Sequence, residues 1–350
     1  MFNKLLGAFS HDIGIDLGTA NTLVFVRGKG IVINEPSVVA INNQTQEVLA
    51  IGEAAQLMVG KTPAHITASK PLVDGVVSDF EVTEAMLRFF IDKVHEETIS
   101  FMPRPRCVIG IPSGVTEVEK RAVEDAGKNA GARAVFLIEE PMAAAIGAGL
   151  PIHAPAGNAI VDIGGGTSEI AIISLGGIVQ SKSVRIAGDQ FNNDIIQYIK
   201  EQFNMIIGER SAERVKIEVG AVFDLDHRLE TTVRGRDMIT GLPREEIINN
   251  FMVQEALFKS ARTVAQAVQS TIERTPPELV ADILERGVML AGGGALLRGM
   301  DQLIAQHTEM PVFIANDPLT VVARGTGVIL EDLDHLKHVL VNTQSKEIPH

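Results

Sequence analysis

The sequence predicts an α/β protein made of two related halves, in which mixed, mostly parallel sheets are flanked by helices. Apolar runs typical of strands alternate with helical patterns along most of the 350 residues, and this alternation is typical of parallel sheets. Residues 13–26 and 160–173 are both an apolar run, an aspartate, a Gly/Thr turn and a second apolar run, which is the pattern of a β-hairpin. Asp16 and Asp162 hold equivalent places in this internal repeat.

Local signals predict the individual elements. Thr116, followed three residues later by Glu119, predicts a helix N-terminus, and this helix is expected to run to about Ala130. Pro141 is expected at the first position of another helix, where proline is favourable. Strands are predicted at residues 107–111, 134–138 and 288–291, and further helices at 142–148, 190–203, 250–271 and 295–305.

Two segments interrupt this alternation. Residues 36–70 and about 208–247 fit it poorly, which predicts a small insertion in each half. Residues 150–157 are rich in Pro, Gly and Ala, and they predict the linker between the halves.

The composition excludes several classes of function. Hydrophobic residues are 45% of the chain and charged residues 21%, as in ordinary packed globular proteins. Aromatic residues are only 4% and the formal net charge is −13, so neither base stacking nor attraction to phosphate backbones favours nucleic-acid binding. The one cysteine, Cys107, excludes an intramolecular disulfide and a cysteine-cluster zinc site. No apolar run reaches the roughly 18 residues that span a bilayer, and the N-terminus lacks a secretory signal, so a soluble intracellular protein is expected.

The first repeat predicts a phosphate-binding loop. Gly18 follows a strand, and the consecutive amides of a glycine turn form a concavity that binds anions. The loop continues through Thr19, Ala20 and Asn21, and the side chains of Thr19 and Asn21 can add hydrogen-bond donors. A carboxylate beside a phosphate needs a cation between them, so Asp16 implies Mg²⁺ held through water. The alternative is a tight hairpin with a surface aspartate and no ligand.

The second repeat makes the same prediction with more glycine. The turn after Asp162 consists of Gly164, Gly165, Gly166 and Thr167. Three successive glycines cost chain entropy unless something needs a bare backbone there. A polyphosphate is the ligand that best explains them, and a glycine turn without a ligand is the alternative. Together, the two repeats predict that both grip one phosphate chain in a cleft.

A third glycine-rich loop follows another predicted strand. It consists of Gly292, Gly293, Gly294, Ala295 and Leu296. We expect it to open a helix whose first amides suit a ligand packed closely on the backbone. Many strand–helix turns are glycine-rich, so this loop is weak support by itself.

Glu140 lies at the end of a predicted strand, directly before Pro141. The functional interpretation is that its carboxylate orients a water for attack on a γ-phosphate. The alternative is ordinary capping, because a carboxylate is favourable near any helix N-terminus. The chain has no G-x-x-x-x-G-K-[S/T] and no G-x-G-x-x-G that opens a helix after a strand, so neither a P-loop nor a dinucleotide-binding domain is predicted.

Two apolar stretches predict contact with a membrane. The first has the i, i+3, i+4, i+7 spacing of an amphipathic helix and consists of Phe2, Leu5, Leu6 and Phe9. One such helix is a marginal anchor, but many copies on one polymer would bind firmly. The second is an apolar tip formed by Phe101 and Met102 and followed by arginines. The alternatives are a helix packed on the protein's own body and a buried loop contact.

These motifs resemble those of the actin, DnaK-type chaperone and sugar-kinase ATPase superfamily and, within it, the MreB family of bacterial actins. The resemblance covers nearly the whole chain. The stretches that carry it are NEPSVVA at residues 34–40, KPLVDGVVSD at 70–79, IPSGVTEVEKR at 111–121, IEEPMAAAI at 138–146 and DPLTVVARGTG at 317–327.

The resemblance implies an actin-like ATPase fold of two duplicated lobes. The implied limits are residues 1–150 for the first lobe and 151–325 for the second, small insertions at about 36–70 and 188–250, and a C-terminal helix and tail, 326–350, that return to the first lobe. It also implies that residues 18–21 and 164–167 bind the phosphates of ATP, with Asp16 and Asp162 facing Mg²⁺.

Further site residues are likewise implied by the resemblance. Glu140, aided by Thr167, would position the hydrolytic water. Three residues of one predicted helix would flank the adenosine opposite residues 293–296, and these are Glu213, Arg214 and Lys216. Composition alone predicts a solvated helix there.

The implied function is a slow ATPase that polymerises with ATP into paired filaments. These would lie on the inner face of the cytoplasmic membrane in rod-shaped bacteria and coordinate the cell-wall elongation machinery. A soluble small-molecule kinase is the alternative, but it needs a second-substrate pocket with its own base, and the sequence offers no such residue set beyond Glu140. A chaperone ATPase would carry a substrate-binding domain, for which the roughly 20 residues after Leu330 are too few.

Overall fold

Each of the two Asp–Gly–Thr repeats lies in the central part of a five-stranded sheet. The computed structural model describes residues 10–96 and 104–341, and the chain divides into two compact units. The first unit contains the described residues up to Ala154, Leu175–Ile178 and the described residues from Thr320 onwards. The second contains Pro155–Ser174 and Val179–Leu319.

The described residues of the first half form ten strands and four helices. In chain order they are β1 (Ile13–Leu17), β2 (Asn21–Val26), β3 (Gly30–Pro36), β4 (Val39–Asn42), β5 (Val48–Ile51), α1 (Glu53–Gln56), β6 (Ile66–Ser69), β7 (Leu72–Val73), β8 (Val76–Val77), α2 (Phe80–His95), β9 (Arg106–Ile111), α3 (Glu117–Asn129), β10 (Ala134–Glu139) and α4 (Glu140–Gly147).

The second half also combines strands and helices, and its last helix belongs to the first unit. The elements are β11 (Asn158–Ile163), β12 (Ser168–Ser174), β13 (Gly177–Val184), α5 (Gly188–Phe203), β14 (Met205–Ile206), α6 (Glu209–Val219), β15 (Glu230–Asp237), β16 (Pro243–Asn249), α7 (Asn250–Glu273), α8 (Pro277–Arg286), β17 (Val288–Ala291), α9 (Met300–Thr308), β18 (Val312–Ile314) and α10 (Val321–Glu331). Short 3₁₀ helices lie at Gly293–Leu296, Pro318–Thr320 and Lys337–Val339.

The two large sheets have the same strand order, β10-β9-β1-β2-β3 and β18-β17-β11-β12-β13. In the first sheet, β1 is antiparallel to β2 and parallel to β9, and β9 is parallel to β10. In the second sheet, β11 is antiparallel to β12 and parallel to β17, and β17 is parallel to β18. The prediction of two related α/β halves with mixed sheets is therefore confirmed.

The central strands of the second sheet are buried along their whole length. All six residues of β11 and all seven of β12 are buried, as expected for strands that are covered on both faces. The apolar face of α7 contributes Leu257 and Val264 to this core. In the first unit, Met86 and Phe90 of α2 pack into the core around β1. Each sheet therefore has its own hydrophobic core.

Two helix starts were predicted, and the structure shows both. Thr116 accepts a hydrogen bond from the Glu119 amide, and the Glu119 carboxylate accepts one from the Thr116 amide at 2.6 Å, so the predicted capping box is present. Helix α4 begins at Glu140, and Pro141 is therefore its second residue rather than its first.

The prediction of one helix over residues 295–305 is wrong. The chain leaves the 3₁₀ helix at Leu297, and α9 begins only at Met300. Gly299 between them has a φ of 80°, and a Cβ at this position would lie 2.3 Å from the Cβ of Phe223. This close approach to a distant part of the chain requires glycine in a non-helical conformation.

Both segments that interrupt the alternation contain a small sheet of their own. Strands β5, β4 and β6 form a three-stranded sheet in the first half, and β14, β15 and β16 form one in the second. Within residues 10–96 and 104–341, no helix is both long enough and apolar enough to cross a lipid bilayer.

Candidate functional site

In the first unit, the candidate residues collect at one edge of the sheet. Strands β1, β9 and β10 are parallel, so their carboxyl ends lie at the same edge, where open α/β sheets bind their ligands. Asp16 is the half-buried fourth residue of β1. Glu140 follows β10 directly. The fold thus brings the two carboxylates to the edge at which a ligand is expected.

The loop between β1 and β2 is fixed by bonds that leave its amides available. The Ser37 hydroxyl donates to the carbonyl oxygen of Gly18 at 2.6 Å, and the buried hydroxyl oxygen of Thr19 accepts from the Gly75 amide at 3.1 Å. Outside the strand ladders, the backbone hydrogen bonds of the described residues include none donated by the amides of Gly18, Thr19 and Ala20. These three amides keep their hydrogen-bonding capacity for an anion.

Asn21 and Gly18 complete the loop. The side-chain amide of Asn21, expected as a further donor, donates to Oδ1 of Asn34 at 2.9 Å and so also holds the loop against β3. A Cβ on Gly18 would lie 2.6 Å from the carbonyl oxygen of Asn21. Only glycine fits here, and part of the glycine signal therefore comes from the hairpin itself.

Glu140 is held in a restricted place. It is 9% exposed and opens α4, where the helix dipole favours a negative charge. Gly110 of the adjacent strand β9 makes room for it, since a Cβ at that position would lie 3.4 Å from the Glu140 Cγ. The preceding Glu139 is half-buried, and burial raises the pKa of its carboxyl. The two neighbouring glutamates therefore differ in their environments.

In the second unit, Asp162 lies opposite another buried acid. Strands β11 and β12 pair with Asp162 facing Glu169, and the two residues are 6% and 1% exposed. Burial, together with the charge of Glu169, raises the pKa of Asp162 to about 7. The Ser183 hydroxyl donates to Glu169 at 2.6 Å. A cation near Asp162 would relieve this unfavourable pair of charges.

The triple-glycine loop resembles the first loop in its hydrogen bonds. The Gly164 amide donates to the carbonyl oxygen of Thr167 at 2.9 Å, and the Gly188 amide of α5 donates to the carbonyl oxygen of Gly164 at 3.1 Å. Beyond the ladders, the backbone bonds of the described chain include none donated by Gly165, Gly166 or Thr167. A second set of three consecutive amides is thus available.

The third glycine loop packs directly on this hairpin. A Cβ on Gly292 would lie 2.3 Å from Oδ1 of Asp162, and one on Gly294 would lie 2.2 Å from Cγ2 of Ile163. Glycine is therefore needed here for contact within the protein. Ala295 is buried and Leu296 is 53% exposed.

Lys216 of helix α6 lies close to the triple-glycine loop. The Lys216 ammonium donates to the carbonyl oxygen of Gly188 at 3.0 Å and to Oε2 of Glu213 at 2.8 Å. Since Gly188 is bonded to Gly164, Glu213 and Lys216 lie close to the triple-glycine loop. Arg214 does not join them, because its guanidinium donates to the carbonyl oxygen of Thr232 at 2.8 Å.

The residues present fit a hydrated Mg²⁺ better than a protein-caged metal. Within the described parts of the chain, no group of three or more His, Cys, Asp or Glu could hold a metal ion. Mg²⁺ characteristically keeps several waters and is bound by one or two carboxylates together with phosphates. The buried Asp162, opposed by Glu169, supplies a carboxylate of this kind.

The predicted membrane residues Phe2, Leu5, Leu6, Phe9, Phe101 and Met102 lie outside the described residues. Glu169 and Asn192 were not predicted as part of a site. Glu169 sits within an apolar strand, and a charged residue in such a run is the signal that could have found it.

The fold and the paired glycine-rich hairpins define an actin-like protein. MamK in its double helical filament has the same fold, with a TM-score of 0.76 at 21% identity over 92% of this chain and 99% of that one. MreB5 of Spiroplasma citri bound to ADP matches with a TM-score of 0.88 and 38% identity, covering 94% of this chain and 98% of that chain. The structure of MreB5 bound to AMPPNP gives the same values.

The family model described as MreB/Mbl protein matches residues 10–338. The chain is 52% identical over 328 residues to the cell shape-determining protein Mbl of Bacillus subtilis, covering 94% of this chain and 98% of the relative. It is 51% identical over 339 residues to the cell shape-determining protein MreB of Escherichia coli, covering 95% and 97%. The chain belongs to the MreB/Mbl family of cytoskeletal, cell shape-determining proteins.

Proposed function

We propose that this protein is a cytoskeletal ATPase that binds ATP with Mg²⁺, hydrolyses it slowly and assembles into filaments. The observation that carries the proposal is that both sheets present, at equivalent edges, an aspartate followed by a loop with three available amides. The ADP and AMPPNP complexes of MreB5 support nucleotide binding by this chain.

In this proposal, the two loops bind phosphate through their backbone amides. Residues 18–21 and 164–167 are the phosphate loops, and Asp16 and Asp162 hold Mg²⁺ through its water ligands. The ion neutralises phosphate charge when it is bound. Residues 292–296 and the pair Glu213 and Lys216 flank the adenosine.

Glu140 is the proposed positioning group for the attacking water. Its carboxylate accepts a hydrogen bond from water and so aligns the oxygen lone pair for attack, with the hydroxyl of Thr167 as a second partner. Burial at the helix start restricts its side chain, which supports such a role. Because hydrolysis here times assembly rather than supplying a metabolic product, a low turnover is expected.

The proposed filaments also have a place and a task in the cell. Filaments, with paired protofilaments, lie on the inner face of the cytoplasmic membrane and guide the cell-wall elongation machinery, which maintains a rod shape. The proposed membrane contacts are Phe2, Leu5, Leu6, Phe9, Phe101 and Met102. The two proposed lobes are residues 1–150 and 151–325, and residues 326–350 are the C-terminal helix and tail that return to the first lobe.

The dependence of ATPase rate on protein concentration tests the proposal. An assembling ATPase should show a sharp rise in rate per subunit above a critical concentration, together with sedimentable polymer. A small-molecule kinase would show a rate per subunit independent of concentration, and this result would contradict filament assembly. Glu140→Ala is the control for this measurement, because it should bind ATP without hydrolysing it.

A further inference from the structure

The buried face of α5 contains one polar residue. The buried residues of this helix are Phe191, Ile195 and Ile199, together with Asn192. Asn192 is 2% exposed. A polar side chain at such a position costs free energy unless its hydrogen bonds are made, so its partners indicate what it does there.

Asn192 makes one short bond and lacks another. Its Nδ2 donates to Oε2 of Glu213 at 2.7 Å. Its Oδ1 is buried and has no hydrogen-bond partner among the described residues. An apolar residue of similar size would avoid this unpaired acceptor. The bond to Glu213 is therefore the feature that accounts for an asparagine here.

The two oxygens of the Glu213 carboxylate differ in their hydrogen bonds. Oε2 accepts from both Asn192 and Lys216, at 2.7 Å and 2.8 Å. No described residue donates to Oε1, and the Glu213 side chain is 44% exposed. Lys216 is tied in turn to Gly188, next to the triple-glycine loop. Glu213 thus presents one fixed oxygen, an acceptor only, beside the proposed phosphate site.

We propose that Asn192 is a positioning residue that fixes the Glu213 carboxylate so that its free oxygen accepts hydrogen bonds from the sugar hydroxyls of a nucleotide. The inference rests on the proposed nucleotide binding and deepens it. A carboxylate oxygen attracts hydroxyl donors and repels phosphate oxygens, so in this place it selects the sugar end of the ligand. Asn192 acts only through Glu213 and does not touch the nucleotide.

The test compares ATP with 2′,3′-dideoxyATP, which lacks the hydroxyl donors. Calorimetric titration in Mg²⁺, below the concentration of assembly, gives both dissociation constants. The wild-type protein should bind ATP roughly tenfold more tightly than the dideoxy nucleotide, because a site built for a hydroxyl rejects an analogue without it. Asn192→Asp keeps the shape of the side chain but replaces its donor by an acceptor. This variant should bring the ratio to within about twofold by weakening ATP binding alone.

Asn193→Asp is the matched control. It adds the same charge on the same helix at an exposed position, and its ratio should stay at the wild-type value. If Asn192→Asp does not fold, Asn192→Ser and Glu213→Gln are measured in its place, and both should lose the discrimination.

The possible results separate the two proposals. A wild-type ratio retained in folded Asn192 variants overturns the role of Asn192 while leaving nucleotide binding intact. An equal loss for both nucleotides also overturns it, since a merely structural residue would have this effect. A wild-type protein that binds neither nucleotide overturns the proposed function and the role of Asn192 with it.

Discussion

Asp162 and Glu169 face each other directly across strands β11 and β12. Opposed residues of an antiparallel pair lie on the same face, and like charges there are destabilising. Both residues are buried, and the pKa of Asp162 is raised to about 7 as a result of its burial and of the neighbouring charge. The second unit therefore contains an acid whose ionisation opposes folding.

In the absence of Mg²⁺ and nucleotide, we expect the protein to lose stability as the pH rises towards 7. The unfolded state releases the Asp162 proton near its ordinary pKa of 3.8, whereas the folded state retains it up to about 7. The free energy of unfolding then falls by at most about 1.4 kcal/mol per pH unit between these two values and levels off above them. Urea unfolding in a chelator at several pH values measures this slope. Asp162→Asn should reduce it, and an unchanged slope would assign it to other groups.

The same variant tests the metal role. Asp162→Asn removes the negative charge proposed to hold Mg²⁺ through its waters, so ATP binding in Mg²⁺ should weaken by about tenfold or more. Binding measured in a chelator is the internal control and should weaken much less. An equal change in both conditions would remove Asp162 from the metal site.

Glu140→Ala should suppress hydrolysis while leaving ATP binding unchanged. Loss of a group that positions the water is expected to slow phosphate release by about 100-fold or more, measured in single-turnover experiments. The adjacent Glu139→Ala is the matched control, since Glu139 ends β10 rather than opening α4. Phosphate release at the wild-type rate in Glu140→Ala would rule out the proposed role.

Substitutions in the third glycine loop test whether its glycines are needed for packing within the protein or for contact with a ligand. Gly294→Ala should destabilise the protein by about 1–3 kcal/mol, because the new methyl group overlaps Ile163 in a buried place. At Gly293 the nearest atom to a Cβ is a side-chain carbon of Leu319, at 3.2 Å, so Gly293→Ala should be much milder. Thermal unfolding of both variants without nucleotide compares them. Equal stability would show that the glycine at 294 serves something other than this contact.

Deletion of residues 2–9 should abolish sedimentation with liposomes and leave polymers in solution intact. The deleted segment contains the four regularly spaced apolar side chains of the predicted amphipathic helix. A variant with Leu5 and Leu6 changed to glutamate keeps the length of the chain and should behave in the same way. Undiminished sedimentation would place the anchor at Phe101 and Met102 instead.

The features that could be predicted from the sequence are those set by neighbouring residues. The hairpins around Asp16 and Asp162 follow from an apolar run, a glycine turn and a second apolar run, and both were found. The capping box at Thr116 needs only a glutamate three residues later. Local chemistry is sufficient in these cases because the partners are close in the chain.

Features that depend on distant partners could not be predicted in this way. Residues 295–305 have a helical pattern, but Gly299 is brought against Phe223, which breaks the helix. The tie of Lys216 to Gly188 joins two helices through a side chain that composition alone places in solvent. The pairing of Asn192 with Glu213 gives no periodic signal at all. The candidate site is therefore known in outline from sequence and in its supporting bonds only from the structure.

Strands β10 and β18 occupy the same place in their two sheets, yet the chain continues differently from each. Glu140 comes directly after β10, whereas Ala315 and Asn316 come after β18. The two copies of the repeat are thus chemically unequal: the first carries Glu140, which is proposed to act on the water, and the second carries Lys216, Glu213 and Asn192, which are proposed to act in recognition.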